Sequence, residues 1–462
     1  MRLSKRKARS SKPRKSQDIQ GSEIVSSVLD PGPNRDFPSR FVEICAEECV
    51  LRVPLVVVTP TYGGEEFAAE SELDHIDDRD DEDPVPVIRV TFDQSDKNGD
   101  VQKAAIKGFR LETDLLRAIG RCLTAFPTIT SLRLEDCGLA TDQLSLLARL
   151  VVRATTLREL SLDYNTLPGG DLGPLLDPRA RLESLSLRWC GVSDGGALSL
   201  AGALAYQDTG TSPLLSLNLT CNSITCEGAR HLAEALRTNR ILVCLLLAGN
   251  RIGDDGASWL AESLQRFPLT HSEARLRRRK NIQRLIQQKD TGEQQSAGKM
   301  PRTTQRPQGS VTERASLRRE SSSSKDRKKA EKASAQGVSE GPLVDEHPFM
   351  QEVVAEGGEL WCVGNRVLAH LSLAYNHVGS PGMKALLAAV KYQDSIAAPS
   401  QQKGLSRLVL EGNSVPEESQ DLTELREISQ SRLSTAVPVT APSPPPPRRS
   451  TEPRPQTPEI KG

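Results

Sequence analysis

Seven segments of the chain repeat one spacing, with apolar residues at positions one, four, six and eleven and Asn or Cys at position nine. They begin at Ile129, Leu157, Leu182, Leu214, Leu242, Leu368 and Leu405. The first reads Ile129, Leu132, Leu134, Cys137, Leu139, and the fourth Leu214, Leu217, Leu219, Asn222, Ile224. Such self-similarity constrains a fold strongly, because each unit leaves an apolar face that only its neighbours can cover. Positions four and six alternate as in a strand, so both point inward. Position nine needs a side chain that bonds backbone groups in the turn leaving the strand. Cys137 and Cys190 stand there, which reads them as buried turn residues rather than reactive thiols.

Between the strands the apolar spacing becomes helical: Leu144, Leu147, Ala148 and Val151 share one face, as do Ala229, Leu232, Ala233 and Leu236. Trp259, Leu260 and Leu264 repeat the theme, as do Met383, Leu386, Leu387 and Val390. Segment starts are separated by 28, 25, 32, 28, 126 and 37 residues. This motif and spacing resemble the ribonuclease-inhibitor-like subclass of leucine-rich repeats, over about half the chain. The resemblance implies an α/β solenoid, a horseshoe with parallel strands inside and helices outside, carrying long disordered arms. It implies little about function.

The flanks divide by charge and composition. Residues 1–35 read as a basic disordered tail, with eight basic side chains against one Asp in residues 1–20. Residues 36–100 read as a small β element bearing an acidic loop at 63–84; residues 65–83 hold eleven carboxylates against Arg79. The repeats then occupy 101–267, as a cap and five copies. Ile106, Phe109 and Leu111 suggest the cap's strand, and Thr113 to Ala125 its helix. A basic insertion at 268–357 reads as disorder, with a helix conceivable over Ala274 to Lys289. The last two repeats and a cap helix starting near Pro416 fill 358–433, and a Pro-rich tail follows from 434.

No phosphate-binding loop, zinc-protease helix, serine-hydrolase elbow or kinase signature occurs, so neither an enzyme nor a cofactor is expected. Asp96-Lys97-Asn98-Gly99-Asp100 fails as a calcium loop, since the first and twelfth ligand places would be Gln94 and Ala105. Cys221 with Cys226, or Cys45 with Cys49, lacks a second pair to complete a metal site. The basic amino terminus has no interleaved aromatics, which disfavours nucleic acid. No secretory signal or membrane span is read, so the expectation is a cytoplasmic, unsecreted protein off the membrane.

A protein partner is expected on the concave face. Position seven presents Glu135, Asp163 and Arg188, and position eight presents Tyr164, Trp189 and Tyr375. Tyr164 and Trp189 fall in consecutive repeats, with Arg133 and Arg158 nearby; exposed aromatics with Arg are the usual make-up of an interface hot spot. Repeat five instead shows Val243, Cys244, Leu246, Ala248 and Gly249, an apolar stretch that a partner or the insertion would cover. Arg318-Arg319-Glu320-Ser321, Arg448-Arg449-Ser450, Ser443-Pro444 and Thr457-Pro458 suit protein kinases. A few such repeats with a basic insertion and a Pro-rich tail resemble vertebrate leucine-rich-repeat proteins related to axonemal subunits, such as those of the nexin–dynein regulatory complex. That likeness implies a scaffold in cilia or flagella. The alternative reading is a regulator of a small GTPase, by likeness to the GTPase-activating proteins for Ran, or an inhibitor of another enzyme. In the Ran regulators the acidic block follows a longer array.

Overall fold

In the computed structural model the described residues are 37–61, 87–93, 100–208, 210–297, 347–396, 404–416 and 418–435. The repeat strands are β3 (Val101–Lys107), β4 (Ser131–Glu135), β5 (Glu159–Ser161), β6 (Ser184–Ser186), β7 (Ser216–Asn218), β8 (Cys244–Leu246), β12 (His370–Ser372) and β13 (Arg407–Val409). All pair in parallel within one ten-stranded sheet. The position-four residues form a column, Leu132–Leu160–Leu185–Leu217–Leu245–Leu371–Leu408, each opposite the next. In the first six copies all five motif positions are buried. A fully buried Leu is worth roughly 1.5–3 kcal/mol, so each buried member of the column contributes on that order. In the seventh copy Leu408, Asn413 and Val415 are only half-buried, because no further repeat among the described residues covers them.

Position nine stitches consecutive turns together. Asn222 Oδ1 accepts from the Cys190 and Val192 N–H groups at 3.1 and 2.9 Å, and its Nδ2 donates to the Leu187 and Leu219 carbonyls. Asn165 bonds the preceding turn in the same way. Cys190 donates its Sγ–H to the Leu162 carbonyl at 3.1 Å and Cys137 to the Ile106 carbonyl at 3.4 Å. Burial pushes both thiols up to about 12, so they stay protonated donors.

Helices line the outside: α2 (Thr113–Ala125), α3 (Thr141–Arg153), α4 (Asp194–Leu204), α5 (Cys226–Leu236), α6 (Asp254–Leu264), α9 (Ser380–Ile396) and α10 (Gln420–Thr435). The second repeat has only a 3-10 turn, Gly173–Leu176. Its 25-residue spacing holds Pro168, Gly169, Gly170, Pro174 and Pro178, which leaves neither room nor propensity for a helix. Asp194 opens α4 and caps α5, accepting from the Thr225 and Gly228 N–H groups. Asp254 does the same for α9, taking the Gly379 and Gly382 N–H groups at 2.7 and 2.8 Å. The fifth and sixth repeats therefore join at strand, turn and helix as neighbours do elsewhere, despite the long gap in sequence.

The amino-terminal region is a cap continuous with the solenoid, where the sequence suggested a separate β element. Strand β1 (Leu55–Thr61) pairs in parallel with β2 (Val87–Asp93), which pairs antiparallel with β3 and so extends the same sheet. The unforeseen helix α1 (Phe37–Glu47) packs Phe37, Phe41, Ile44 and Cys45 into the common core. Arg121 of α2 holds it by bonding Glu47 and Glu48. The acidic loop, both tails, the kinase motifs and residues 94–99 lie outside the described residues. At the far end α10 starts at Gln420, four residues after Pro416, and turns Leu422 and Leu425 inward.

The insertion is structured where it is described, against the expectation of disorder. Strand β9 (Phe267–Pro268) pairs with β11 (Glu359–Cys362), which pairs with β10 (Val353–Glu356). The helix expected near 274–289 runs over His271–Ala297 (α7), and a short turn, α8, spans Pro348–Gln351. Phe267, Phe349 and Cys362 form a second small core, with Leu276 of α7 packed against it. These core residues come from segments some 80 residues apart, so no local periodicity announces them. Arg237 and Arg240 fasten the unit to the repeats by bonding Glu273 and Glu352, and Arg237 lies 3.8 Å over the Phe267 ring. The unit thus sits on the edge where helices lead into strands.

Candidate functional site

Position eight of every repeat has a left-handed backbone. Asp136, Tyr164, Trp189, Cys221 and Tyr375 have φ between 51° and 62°, and Gly249 and Gly412 have 67° and 69°. A hydrogen-bond ladder between consecutive turns accompanies this conformation. In the first six repeats the position-eight N–H donates to the position-seven carbonyl of the next repeat, for example Tyr164 to Arg188 at 2.8 Å, Trp189 to Thr220 at 3.2 Å, Cys221 to Ala248 at 2.7 Å and Tyr375 to Glu411 at 2.7 Å. Glycine fits this position at no steric cost, whereas another residue pays roughly 1–2 kcal/mol. Gly249 and Gly412 show the low-strain solution; the chain nevertheless places three aromatic residues at equivalent points.

Those aromatic side chains are not buried in exchange for the strain. Tyr164 is 47%, Trp189 55% and Tyr375 68% exposed. Tyr164 and Trp189 stand on neighbouring turns, one strand spacing apart, about 5 Å. Tyr375 lies three strands beyond Trp189 in the order β6-β7-β8-β12. It covers Gly412, where an added Cβ would meet its ring within 2.6 Å of Cε1. The structure thus brings Tyr164 and Trp189 together and sets Tyr375 apart.

The charged candidates divide. Asp163 is buried; its Oδ1 accepts from Ser186 Oγ at 2.6 Å and from the Arg188 N–H at 2.8 Å. It is a strut between repeats, engaged within the chain where the sequence suggested a partner contact. Glu135 is half-buried and accepts a 3.4 Å bond from Ser161 Oγ. Arg133 and Arg188 are half-buried; the Arg188 carbonyl accepts from the Tyr164 N–H and its neighbour is Trp189, whereas Arg133 stands opposite Ser161, three residues before Tyr164. Sequence position does not separate Asp163 from Glu135, because both occupy position seven and both face a serine on the next strand, Ser186 and Ser161. The difference is that the shorter Asp163 side chain bonds its serine at 2.6 Å and also takes the Arg188 N–H.

Farther along the concave face, Ser216, Cys244, His370 and Arg407 stand opposite one another on four consecutive strands. His370 Nδ1 lies 3.4 Å from Cys244 Sγ. Burial, and then Arg407, lowers the His370 pKa, while burial raises that of Cys244. Both shifts favour a neutral imidazole beside a neutral thiol, the reverse of an activated cysteine–histidine ion pair. Val243, Leu246 and Ala248 around them are half-buried. Among the described residues no group of three or more His, Cys, Asp or Glu side chains is placed to hold a metal ion. No helix among them is long and apolar enough to cross a membrane.

Comparison with known proteins returns the same repeat. A family model described as "Leucine Rich repeat" matches residues 182–201, 212–233, 238–261 and 364–387. Ribonuclease inhibitor of Sus scrofa is 30% identical over 171 residues, covering 29% of this chain and 36% of that protein. Two Mus musculus proteins are also similar. NACHT, LRR and PYD domains-containing protein 4E is 28% identical over 176 residues (31% of this chain, 18% of that protein), and protein 14 is 30% identical over 163 residues (29% and 16%). The chain spans about a third of the inhibitor's length and less than a fifth of the other two. Sheet, turn ladder and matches agree on one unit of construction: the chain carries leucine-rich repeats of the ribonuclease-inhibitor-like type.

Proposed function

We propose that the chain is a non-enzymatic scaffold that grips a protein partner at the concave face of its amino-terminal repeats, with Tyr164 and Trp189 as anchors and Arg133, Glu135 and Arg188 beside them. The observation that carries this reading is the exposed aromatic pair held in left-handed backbone, at a position two sister repeats give to glycine. Strain retained without burial is characteristic of positions kept for contact. A rigid array positions both rings at fixed separation, so little ordering entropy is lost on binding. Tyr375 contributes to a separate contact. Kinases acting on the arms remain part of this proposal, as does a cytoplasmic site of action in cilia or flagella; the likeness to axonemal leucine-rich-repeat subunits supports the latter.

Affinity capture with Tyr164→Ala/Trp189→Ala tests the reading. Each anchor is worth about 2 kcal/mol, so the pair should change affinity a hundredfold or more. The double variant should melt as the parent does and lose a partner that the parent retains. Equal recovery of every partner would remove this surface as the binding site. Proximity labelling in ciliated and non-ciliated cells tests the place of action; the same neighbours in both would refute a ciliary role.

A further inference from the structure

Helix α7 is held to the molecule along a single face. Glu273 bonds Arg237, Arg277 donates to the Phe349 carbonyl at 2.8 Å, and the buried Lys280 bonds Asp208 beside the Tyr206 ring. At about 100° per residue the opposite face carries Arg275, Arg278 and Arg279, followed by Ile282, Leu285 and Ile286. All six are exposed, and the apolar three are 52%, 60% and 53% exposed. Residues 274–289 hold seven basic side chains and no acidic one. Three cations followed by an apolar triplet form a surface for an occupant that combines carboxylates with apolar side chains.

The direction of α7 indicates which occupant. Glu273 meets Arg237 at the connection entering β8; seven residues later Lys280 meets Asp208 at the connection entering β7. The helix therefore advances toward the amino-terminal cap, and Lys280 to Ala297 adds about 25 Å in that direction. It runs along the edge where the parallel strands begin. Because β1 is parallel to β2 and β2 antiparallel to β3, the chain leaves β1 at Thr61 on that same edge. The sequence that follows includes 65–83, eleven carboxylates with Phe67, Leu73 and Ile76 among them. From β1 to β7 is six sheet steps, roughly 29 Å, and about twelve residues of extended chain reach roughly 40 Å.

We propose that residues 65–83 dock on the outward face of α7, with their carboxylates against Arg275, Arg278 and Arg279 and their apolar residues on Ile282, Leu285 and Ile286. Tethering favours this occupant over a second copy or an acidic membrane, because a linked segment competes at an effective concentration near millimolar.

The test uses the full-length chain and a fluorescent synthetic peptide of residues 63–84. In one variant every Asp and Glu of 65–83 becomes Asn or Gln, which vacates the face. The peptide should bind this variant at least tenfold more tightly than it binds the parent, whose own segment competes. Raising the salt from 0.05 to 0.5 M (about a threefold shorter screening length) should weaken that binding. Adding Arg275→Gln, Arg278→Gln and Arg279→Gln, all exposed, should reduce peptide binding at least tenfold at an unchanged melting temperature. Equal binding to parent and neutralised chain, or no binding to either, would overturn the proposal. So would indifference to the three Arg changes, or phosphatidylserine vesicles binding the parent as strongly as the neutralised chain.

Discussion

The turn ladder makes a quantitative claim at Asn222, the position-nine residue between the third and fourth repeats. Asn222→Ala removes the sole side-chain acceptor for the Cys190 and Val192 N–H groups and a donor to the Leu187 and Leu219 carbonyls. Leu219 keeps a second donor in Asn250 Nδ2 at 2.9 Å, so its loss is partly made good. The two buried N–H groups have no such substitute. At roughly 1–3 kcal/mol for each unmade bond, the variant should lose about 2–6 kcal/mol. Asn222→Cys separates the bonding from the shape. At Cys190 the thiol serves the same position, donating to Leu162, so the Cys variant should recover at least about 1 kcal/mol of the loss. Urea titration followed by far-ultraviolet circular dichroism measures both. An Ala variant within about 0.5 kcal/mol of the parent, or a Cys variant no better than Ala, would refute the assignment of the ladder as the main bond between turns.

Four further outcomes are expected. Trp189→Gly should leave urea stability unchanged or raise it by about 1 kcal/mol, since it relieves a left-handed backbone at an exposed site; a loss beyond about 1 kcal/mol would show the ring to be structural. Gly412→Ala should cost at least about 1 kcal/mol, part of which Tyr375→Ala should restore by removing the ring that an added Cβ meets, as a double-mutant cycle would read. Burial opposes the Glu273 charge, but bonds from Arg237 and Thr270 outweigh it and hold the carboxyl below its usual range. Its contribution is therefore complete above the unfolded value near 4.5 and lost as pH falls through the lower folded value; hydrogen exchange of α7 should accelerate there, and Glu273→Gln should remove that step. Leu217→Asp places a carboxylate between Leu185 and Leu245 and should cost several kcal/mol, seen as a collapse of the circular dichroism signal.

The repeats were legible because each motif position carries its own reason: Leu217 is apolar for the column, Asn222 polar for the turn. Helix α1 was legible too, since Phe37, Phe41, Ile44 and Cys45 follow helical spacing, but the β-rich segments after it drew the whole region into one reading. The small core of the insertion was not, because Phe267 and Phe349 meet only after the chain returns. At the candidate site the sequence ranked residues by position in the repeat. That ranking put Tyr164 and Trp189 at exposed places, which the structure bears out as geometry, but it could not foresee the burial of Asp163, whose carboxylate takes both the Ser186 hydroxyl and the Arg188 N–H. The left-handed backbone had a sequence signal in Gly249 and Gly412, which stand where the aromatics do elsewhere.

The parallel pairing of β8 with β12 has a consequence in time. Cys244 and His370, partners in that pairing, are 126 residues apart in the chain. A ribosome adding roughly 5–20 residues per second needs about 6–25 seconds to cover that distance. During this interval the nascent chain can complete five repeats while the far edge of β8 offers unpaired backbone to any other strand that arrives. Phe267 and Pro268 emerge soon after α6, but their partner β11 waits beyond the same stretch. Slowing or pausing translation within the insertion should therefore raise aggregation of the newly made protein without altering the stability of the finished one.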